Sequence, residues 1–291
     1  MGIKDTVEKT LESYNDVFAD IVNVLLFNGR QLVSEDSLSD AQIFSMYKMD
    51  GDVRSQDRDV AKFWNRDCIQ IGFCGIENQS VQDYDMPLRI ISYDGAAYRM
   101  QLAKKSQTER YPVVTLVLYF GTEHKWTAPQ KLKDCLSIGE ELAPFVNDYK
   151  LNIFELAWLP DEQVARFKSD FREVVEYLRA RRLHIRYEGS ERHLRHIEEI
   201  LDMFRVLSGD DSFKNITAAM LDKARKAAGG VKMCDVIQAI KQEGVIIGEQ
   251  RRENAILSLF AKLYAAGRDS DVRRATADRE YLKKLMEEYQ K

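Results

Sequence analysis

Apolar residues recur at three- and four-residue steps along residues 5–27: Val7, Leu11, Tyr14, Phe18, Ile21 and Leu25. That spacing predicts an amphipathic helix, and Asn28-Gly29 marks its end. Residues 30–58 lose the pattern and read as mostly polar and irregular. Val60 to Trp64 and Cys68 to Asn78 read as two strands joined by a turn near Asn65-Arg66-Asp67. Pro87 opens a second helix, whose apolar face is Ile90, Ile91, Tyr93, Ala97, Tyr98 and Leu102. Lys104 to Arg110 is a polar loop. Pro112 to Phe120 is nearly continuous in apolar and β-branched residues, as in a central strand buried on both faces. Ile153 to Leu159 is a candidate strand, and Pro160 to Arg182 a candidate helix.

Helix, strand, strand, helix, strand is the order of an α/β sandwich. Beyond about residue 183 strand runs disappear, and Arg, Lys, Glu, Ala and Leu dominate. Residues 191–207, 212–228, 232–253 and 254–266 all read as helices. The expected division is an α/β domain over 1–182 and a helical region over 183–291. In the tail, Ile256 to Ala266 ends at Gly267, Asp269 to Ala275 is short, and Asp278 precedes Arg279 to Tyr289. Such a trihelical unit suits base reading in a major groove, but helices that pair two subunits look the same. Ile256, Leu257, Leu259, Phe260, Leu263 and Tyr264 are too many apolar positions for a free helix.

Composition narrows the setting. No apolar stretch approaches the roughly 20 residues needed to cross a bilayer, so no membrane role is expected. The N-terminal residues carry acids and lysines rather than a secretory core. Cys68, Cys74, Cys135 and Cys234 are widely spaced with no Cys-x-x-Cys pair, which reads as reduced thiols of a cytoplasmic protein. The net charge is −4, yet residues 1–60 hold 12 Asp/Glu against 6 Lys/Arg, leaving the remainder net positive. An acidic segment with basic segments elsewhere suits a metal-dependent enzyme acting on a polyanion; random local excess in a mildly acidic protein is the plainer reading.

The candidate chemistry sits in Gly75-Ile76-Glu77-Asn78-Gln79, at the end of an apolar run. In an extended strand, Glu77 and Gln79 point to one face. Asp59 lies upstream in Asp57-Arg58-Asp59-Val60. An acid followed by a strand ending in Glu-x-Gln can hold a divalent cation beside a phosphate. Alone, Glu77 would read as an ordinary strand-end carboxylate.

The ordered set of segments resembles the Rpn-type recombination-promoting nucleases, or putative transposases, of the PD-(D/E)XK nuclease superfamily. The segments are Arg58-Asp59-Val60, Gly75 to Gln79, Asp85-Met86-Pro87-Leu88-Arg89, Tyr93-Asp94, Pro112 to Gly121 with Trp126 beyond, and Pro144 to Tyr149. The resemblance implies a restriction-endonuclease-like core sheet flanked by helices, and a Mg²⁺- or Mn²⁺-dependent endonuclease acting on DNA. It places the metal-site motif on Asp59 and on Glu77-x-Gln79, with Gln79 where the superfamily commonly has Lys. An acid on the first helix is often used as well: Asp20 is the candidate and Asp16 the rival, one turn earlier. Asp59 and Glu77 can ligate Mg²⁺ through carboxylates, with the Asn78 carbonyl as a third ligand. Gln79 is neutral and can only orient the attacking water by hydrogen bonding.

Other residues have two readings. Arg89 and Tyr93 can face a phosphate, or be a solvated arginine and a packed tyrosine. His124 reads as a surface residue rather than a general base. His184, His193 and His196, among Arg179, Arg181, Arg182, Arg186, Arg192 and Arg195, form either a DNA-facing basic surface or a solvated face. Two rivals to an enzyme remain: a DNA-binding or bridging protein with an inactive nuclease core, and a mobile-element interaction protein. A homo-oligomer through the C-terminal helices is a further expectation.

Overall fold

The computed structural model describes residues 10–41, 44–49, 52–57, 60–64, 69–76, 82–103, 110–208, 213 and 231–289. The chain divides into two compact units, Met1–Asp235 and Val236–Lys291.

The first unit begins with α1 (Asn15–Leu25), in which every residue from Val17 to Leu25 is buried. The expected helix over 5–27 is interrupted: residues 10–13 are helical, and Tyr14 is extended before α1 resumes. Asn28 (φ 55°) and Gly29 (φ 84°) end it in the left-handed region, where glycine carries no Cβ penalty. A side chain at 29 would also meet Arg166 at 2.8 Å. Asn23 then folds the chain back: its Nδ2 donates to the Val33 carbonyl, and its Oδ1 accepts the N–H of Leu32 and Val33, each at 2.9 Å.

Residues 30–58 are more regular than their polarity predicts. They hold β1 (Leu38–Asp40), β2 (Phe44–Met49) and β3 (Asp52–Asp57). β2 and β3 pair antiparallel with Met49 opposite Asp52. The two residues between them in sequence are Asp50-Gly51, a pair favoured in two-residue hairpin turns. That signal outweighs the weak apolar alternation of β2 and β3.

The main sheet has the order β1-β4-β5-β6-β7, with β4 at Val60–Trp64, β5 at Ile69–Ile76, β6 at Val113–Tyr119 and β7 at Asn152–Glu155. β1/β4 and β4/β5 are antiparallel; β5/β6 and β6/β7 are parallel. The mixed α/β expectation holds. β6 is an interior strand between β5 and β7, one place from the middle of the sheet, and six of its seven residues are buried. α2 (Met86–Ala103) packs Met86, Ile90 and Tyr93 against Val117 and Tyr119 of β6. Its predicted apolar face is only partly used, since Leu102 is 68% exposed. Asp94, buried on α2, accepts the Thr115 hydroxyl from β6 at 2.6 Å and the Tyr149 hydroxyl.

Pro160 to Arg182 is two helices rather than one, α3 (Asp161–Val164) and α4 (Phe171–Arg182). Ser169-Asp170 before Phe171 is a helix-start pair, and the Phe171 N–H bonds the Ser169 hydroxyl oxygen. α5 (Ile197–Ser208) packs on α4: Tyr177 stacks on Phe204 with centroids 4.2 Å apart, and Tyr187 meets both rings edge-on.

α6 (Met233–Ala265) is one continuous helix where two were expected, because Asn254 alone does not break a helix flanked by good formers. Gly267 (φ 71°) follows it, then α7 (Asp269–Ala277) and α8 (Arg279–Tyr289). The trihelical reading of the tail therefore holds. Leu259 and Leu263 are buried against Val272, Ala275 and Leu285, whereas Leu257 and Tyr264 are 59% and 56% exposed. No described helix is long and apolar enough to cross a membrane.

Candidate functional site

Antiparallel pairing puts the start of β4, at Val60, and the end of β5, at Ile76, toward one edge of the sheet. Parallel pairing brings the ends of β6 and β7 to the same edge. Ile76 pairs with Tyr119, and Tyr119 with Glu155. The carboxyl ends of three parallel strands thus meet in one row, the usual place for a site in an open α/β sheet. In sequence, Asp59 directly precedes β4 and Glu77 directly follows β5. Asp59, Glu77, Asn78 and Gln79 themselves lie outside the described residues.

The described part of this edge is a tightly bonded loop after β6. The Tyr119 hydroxyl donates to the His124 carbonyl at 2.9 Å. Glu155 accepts the Trp126 N–H at 2.7 Å. Gln82 makes four hydrogen bonds to residues 125–128. Its Nε2 donates to the Lys125 carbonyl at 2.8 Å, and its Oε1 accepts the N–H of Thr127 at 2.6 Å and of Ala128 at 2.7 Å, with the Thr127 hydroxyl at 3.1 Å. Gly121 is needed here, because a Cβ would stand 2.3 Å from the Tyr119 ring and hydroxyl. Burial pushes the Tyr119 hydroxyl above its ordinary pKa; a Gln82 hydrogen bond pulls it back, and the Glu155 charge raises it further. Among the described residues, the Thr122 hydroxyl and the Trp126 indole nitrogen are buried without a hydrogen-bond partner. Neither Gln82 nor Glu155 was singled out from sequence. The only signal for Gln82 is its place three residues after Gln79.

Asp20 is on α1. It is 5% exposed, and its Oδ2 accepts the N–H of Lys168 at 2.8 Å and of Ser169 at 2.7 Å, in the break between α3 and α4. Its Oδ1 is buried and has no partner among the described residues. Desolvation raises its pKa, opposed by the hydrogen bonds from Ser169 and Lys168 and by the Arg192 charge. The rival, Asp16, meets His196 Nε2 at 3.1 Å and Arg195 Nη1 at 3.1 Å. Asp170 accepts the N–H of both Arg195 and His196 at 2.7 Å. Asp16, Asp20, Asp170 and Arg195 line a cleft of about 300 Å³ that also reaches Glu35, Lys168 and His193. Among the described residues, no group of three or more His, Cys, Asp or Glu is arranged to hold a metal ion.

The remaining candidates are mostly engaged. Arg89 pairs with Asp83 at 2.6 Å and donates to the buried Tyr93 hydroxyl at 3.2 Å. The His124 side chain is exposed. Arg179 bonds Asp161, Arg181 bonds the Leu207 carbonyl, Arg186 faces Glu188 at 3.6 Å, and Arg192 bonds the Lys168 carbonyl. Arg182 lies over the Trp158 ring. His184 sits at φ 53° on the surface. The basic segment is thus largely tied into the first unit. Cys135 and Cys234 are free thiols; Cys68 lies outside the described residues.

Residues 70–208 match the family model described as putative transposase, YhgA-like. The match bears out the family resemblance and spans the segments from Gly75 to Tyr149; Asp20 and Asp59 lie before it. No curated protein and no solved structure matches the chain.

Proposed function

We propose that the protein is a metal-dependent DNA endonuclease linked to recombination or to a mobile element; the match of residues 70–208 to the family model of YhgA-like putative transposases supports this reading. The observation that carries this reading is the sheet edge. The starts and ends of β4 through β7 bring Val60, Ile76, Tyr119 and Glu155 to one side, with Asp59 and Glu77 next in the chain. A helix, an antiparallel set of strands, a second helix and a parallel strand are also the parts a restriction-endonuclease-like core requires.

In this reading Asp59 and Glu77 are the carboxylate ligands of a Mg²⁺ or Mn²⁺ ion, and the Asn78 carbonyl is a third oxygen donor. An all-oxygen donor set is the kind Mg²⁺ takes. The metal, when bound, polarises the phosphoryl oxygen and acidifies a bound water. Gln79 orients that water by hydrogen bonding. It adds no positive charge, so a slower reaction is expected than with Lys. Asp20 is left out of this set, because its carboxylate is turned to the Lys168 and Ser169 N–H groups.

Incubation of the purified protein with supercoiled plasmid, with and without Mg²⁺, tests the reading. Nicking should require the metal and should be lost in Asp59→Ala and in Glu77→Ala with the fold intact. Metal-dependent cutting by both variants at the parent rate would remove these residues from the site. DNA retention without any cutting by the parent would favour a DNA-binding protein with an inactive core, which Gln79 in place of Lys also fits.

A further inference from the structure

We propose that α6 carries a self-pairing stripe in the second unit, and that a second copy of this chain docks on it in parallel, with Asn254 against Asn254. Gln250, Asn254, Leu257, Ala261 and Tyr264 follow one another at four- and three-residue steps, and all five are exposed. Leu257 and Tyr264 are 59% and 56% exposed. With 3.6 residues per turn, these steps keep the five on one side of the helix. The other side holds the unit's own core. Leu259 and Leu263 are buried there against Val272, Ala275 and Leu285 of α7 and α8, with Phe260 partly buried beside them. The stripe therefore takes no part in that core. This pairing does not depend on the endonuclease reading.

Alternating steps of three and four make the seam of a coiled coil. In that register Asn254 and Ala261 take one set of seam positions, and Gln250, Leu257 and Tyr264 take the other. A single asparagine in the first set fixes the register and the number of strands of a parallel pair, at a cost in stability. None of the five is charged, although the exposed Arg252 and Lys262 lie on the same helix off the stripe. A phosphate backbone is met by Lys and Arg, so nucleic acid does not suit this face. A two-fold pair sets each side chain against its own copy. An amide both donates and accepts, so Asn254 and Gln250 can satisfy themselves in such a pair, where two like charges would repel. Gln250 to Tyr264 spans roughly 21 Å of helix. An ideal helix drifts only about 20° per heptad from this repeat, so the stripe stays in contact over its length. Isolated helices this short are marginal in water, but this one is already ordered by its packing on α7 and α8.

The test is sedimentation velocity of the full chain over a wide range of concentration, without DNA. The parent should form a dimer. Leu257→Lys and Ala261→Lys each set two like charges face to face and should weaken pairing about a hundredfold or more. Helix content, read by circular dichroism, should stay that of the parent in both. Ala261→Lys removes no large apolar group, so it separates the added charge from lost packing. Register is read by cross-linking. Asn254→Cys should oxidise to a covalent dimer, because in-register pairing brings the two copies within the roughly 7 Å between Cα atoms that a disulfide allows. Lys262→Cys, off the stripe, should not, and the parent with its own four cysteines is the blank. A parent that stays monomeric throughout would overturn the proposal. So would a dimer that both Lys variants leave intact, since it would assemble through another surface. Loss of the dimer in those variants with no cross-link at position 254 would overturn the parallel pairing. Unfolding of both Lys variants would overturn the stripe itself, because these positions would then belong to the unit's own core.

Discussion

Two polar side chains in the first unit perform the same operation in opposite surroundings. Gln82 accepts the N–H groups of Thr127 and Ala128 at the sheet edge, and Asp20 accepts those of Lys168 and Ser169 beneath α1. Each gives hydrogen-bond partners to a stretch of chain that has left regular structure. Gln82 is neutral and half-buried; Asp20 can carry a charge and is 5% exposed. Desolvation therefore falls almost wholly on Asp20, and its pKa rises despite two charge-favouring bonds. A neutral amide can pin a loop at an open edge with little consequence for pH. A buried carboxylate does the same work with a titration attached. The first arrangement suits a place where a ligand must enter, and the second suits an interior joint.

The strongest way to break this comparison is Asp20→Ala. It leaves two N–H groups in a part-buried break without their acceptor, each costing up to about 1–3 kcal/mol. A loss of roughly 2–5 kcal/mol in stability is expected, read from urea unfolding. Plasmid nicking by the folded variant should continue. A selective loss of nicking in a stably folded Asp20→Ala protein would move Asp20 from the interior joint into the catalytic set.

Gly121→Ala probes the edge in the same manner. A Cβ there meets the Tyr119 ring at 2.3 Å, so the ring or the loop must shift. Overpacking of this kind costs about 1–3 kcal/mol. Hydrogen exchange should quicken at Trp126, Thr127 and Ala128, whose N–H groups bond Glu155 and Gln82. Unchanged exchange at all three would mean that the loop does not depend on Tyr119.

Much of this organisation was legible from residue order. The β-branched run at Pro112 to Phe120 indicated a buried interior strand, and Gly267 marked the turn in the tail. What could not be read was long-range polar pairing. Nothing in local spacing says that Asp20 meets Lys168 and Ser169, 148 and 149 positions away. The same holds for Gln82 and its loop, more than 40 positions on. Period-based reading sees which face is apolar, whereas these bonds depend on where two distant breaks in regular structure come together. The β2/β3 hairpin was missed for another reason: its strands are too polar to stand out, and the informative residues were the two between them. The expected burial of the tail helix was resolved in part. Leu259 and Leu263 pack on α7 and α8, and Leu257 and Tyr264 do not.

The titration attached to Asp20 gives a prediction that Gln82 cannot share. Because its folded pKa lies above the unfolded value, the protonated form is favoured by folding. The associated stabilisation is fully present below the ordinary carboxylate range. It is lost as pH rises through the elevated folded value. Asp20→Asn retains an acceptor oxygen and removes the proton equilibrium. The stability of Asp20→Asn relative to the parent should therefore rise as pH increases through that range, then level off. Melting temperatures of the two proteins in parallel pH series supply the check. A difference that stays flat would place Asp20 in a better solvated environment than its 5% exposure indicates.

The smallest effect belongs to Glu155, the acidic counterpart of Gln82 on the same loop. Glu155→Gln keeps an oxygen that can accept the Trp126 N–H, so the hydrogen bond survives while its charge is removed. Exchanging a charged acceptor for a neutral one at a partly buried site should change stability by about 1 kcal/mol or less. The Tyr119 hydroxyl would lose one of the influences that raise its pKa, but burial, the first of them, would remain. Its titration, followed by NMR, should therefore move down slightly and stay above the ordinary tyrosine value. Should Glu155→Gln instead destabilise as much as Asp20→Ala, the edge would be relying on a carboxylate in the way the interior does. The contrast between a neutral clip at an open edge and a charged one at a buried joint would then fail.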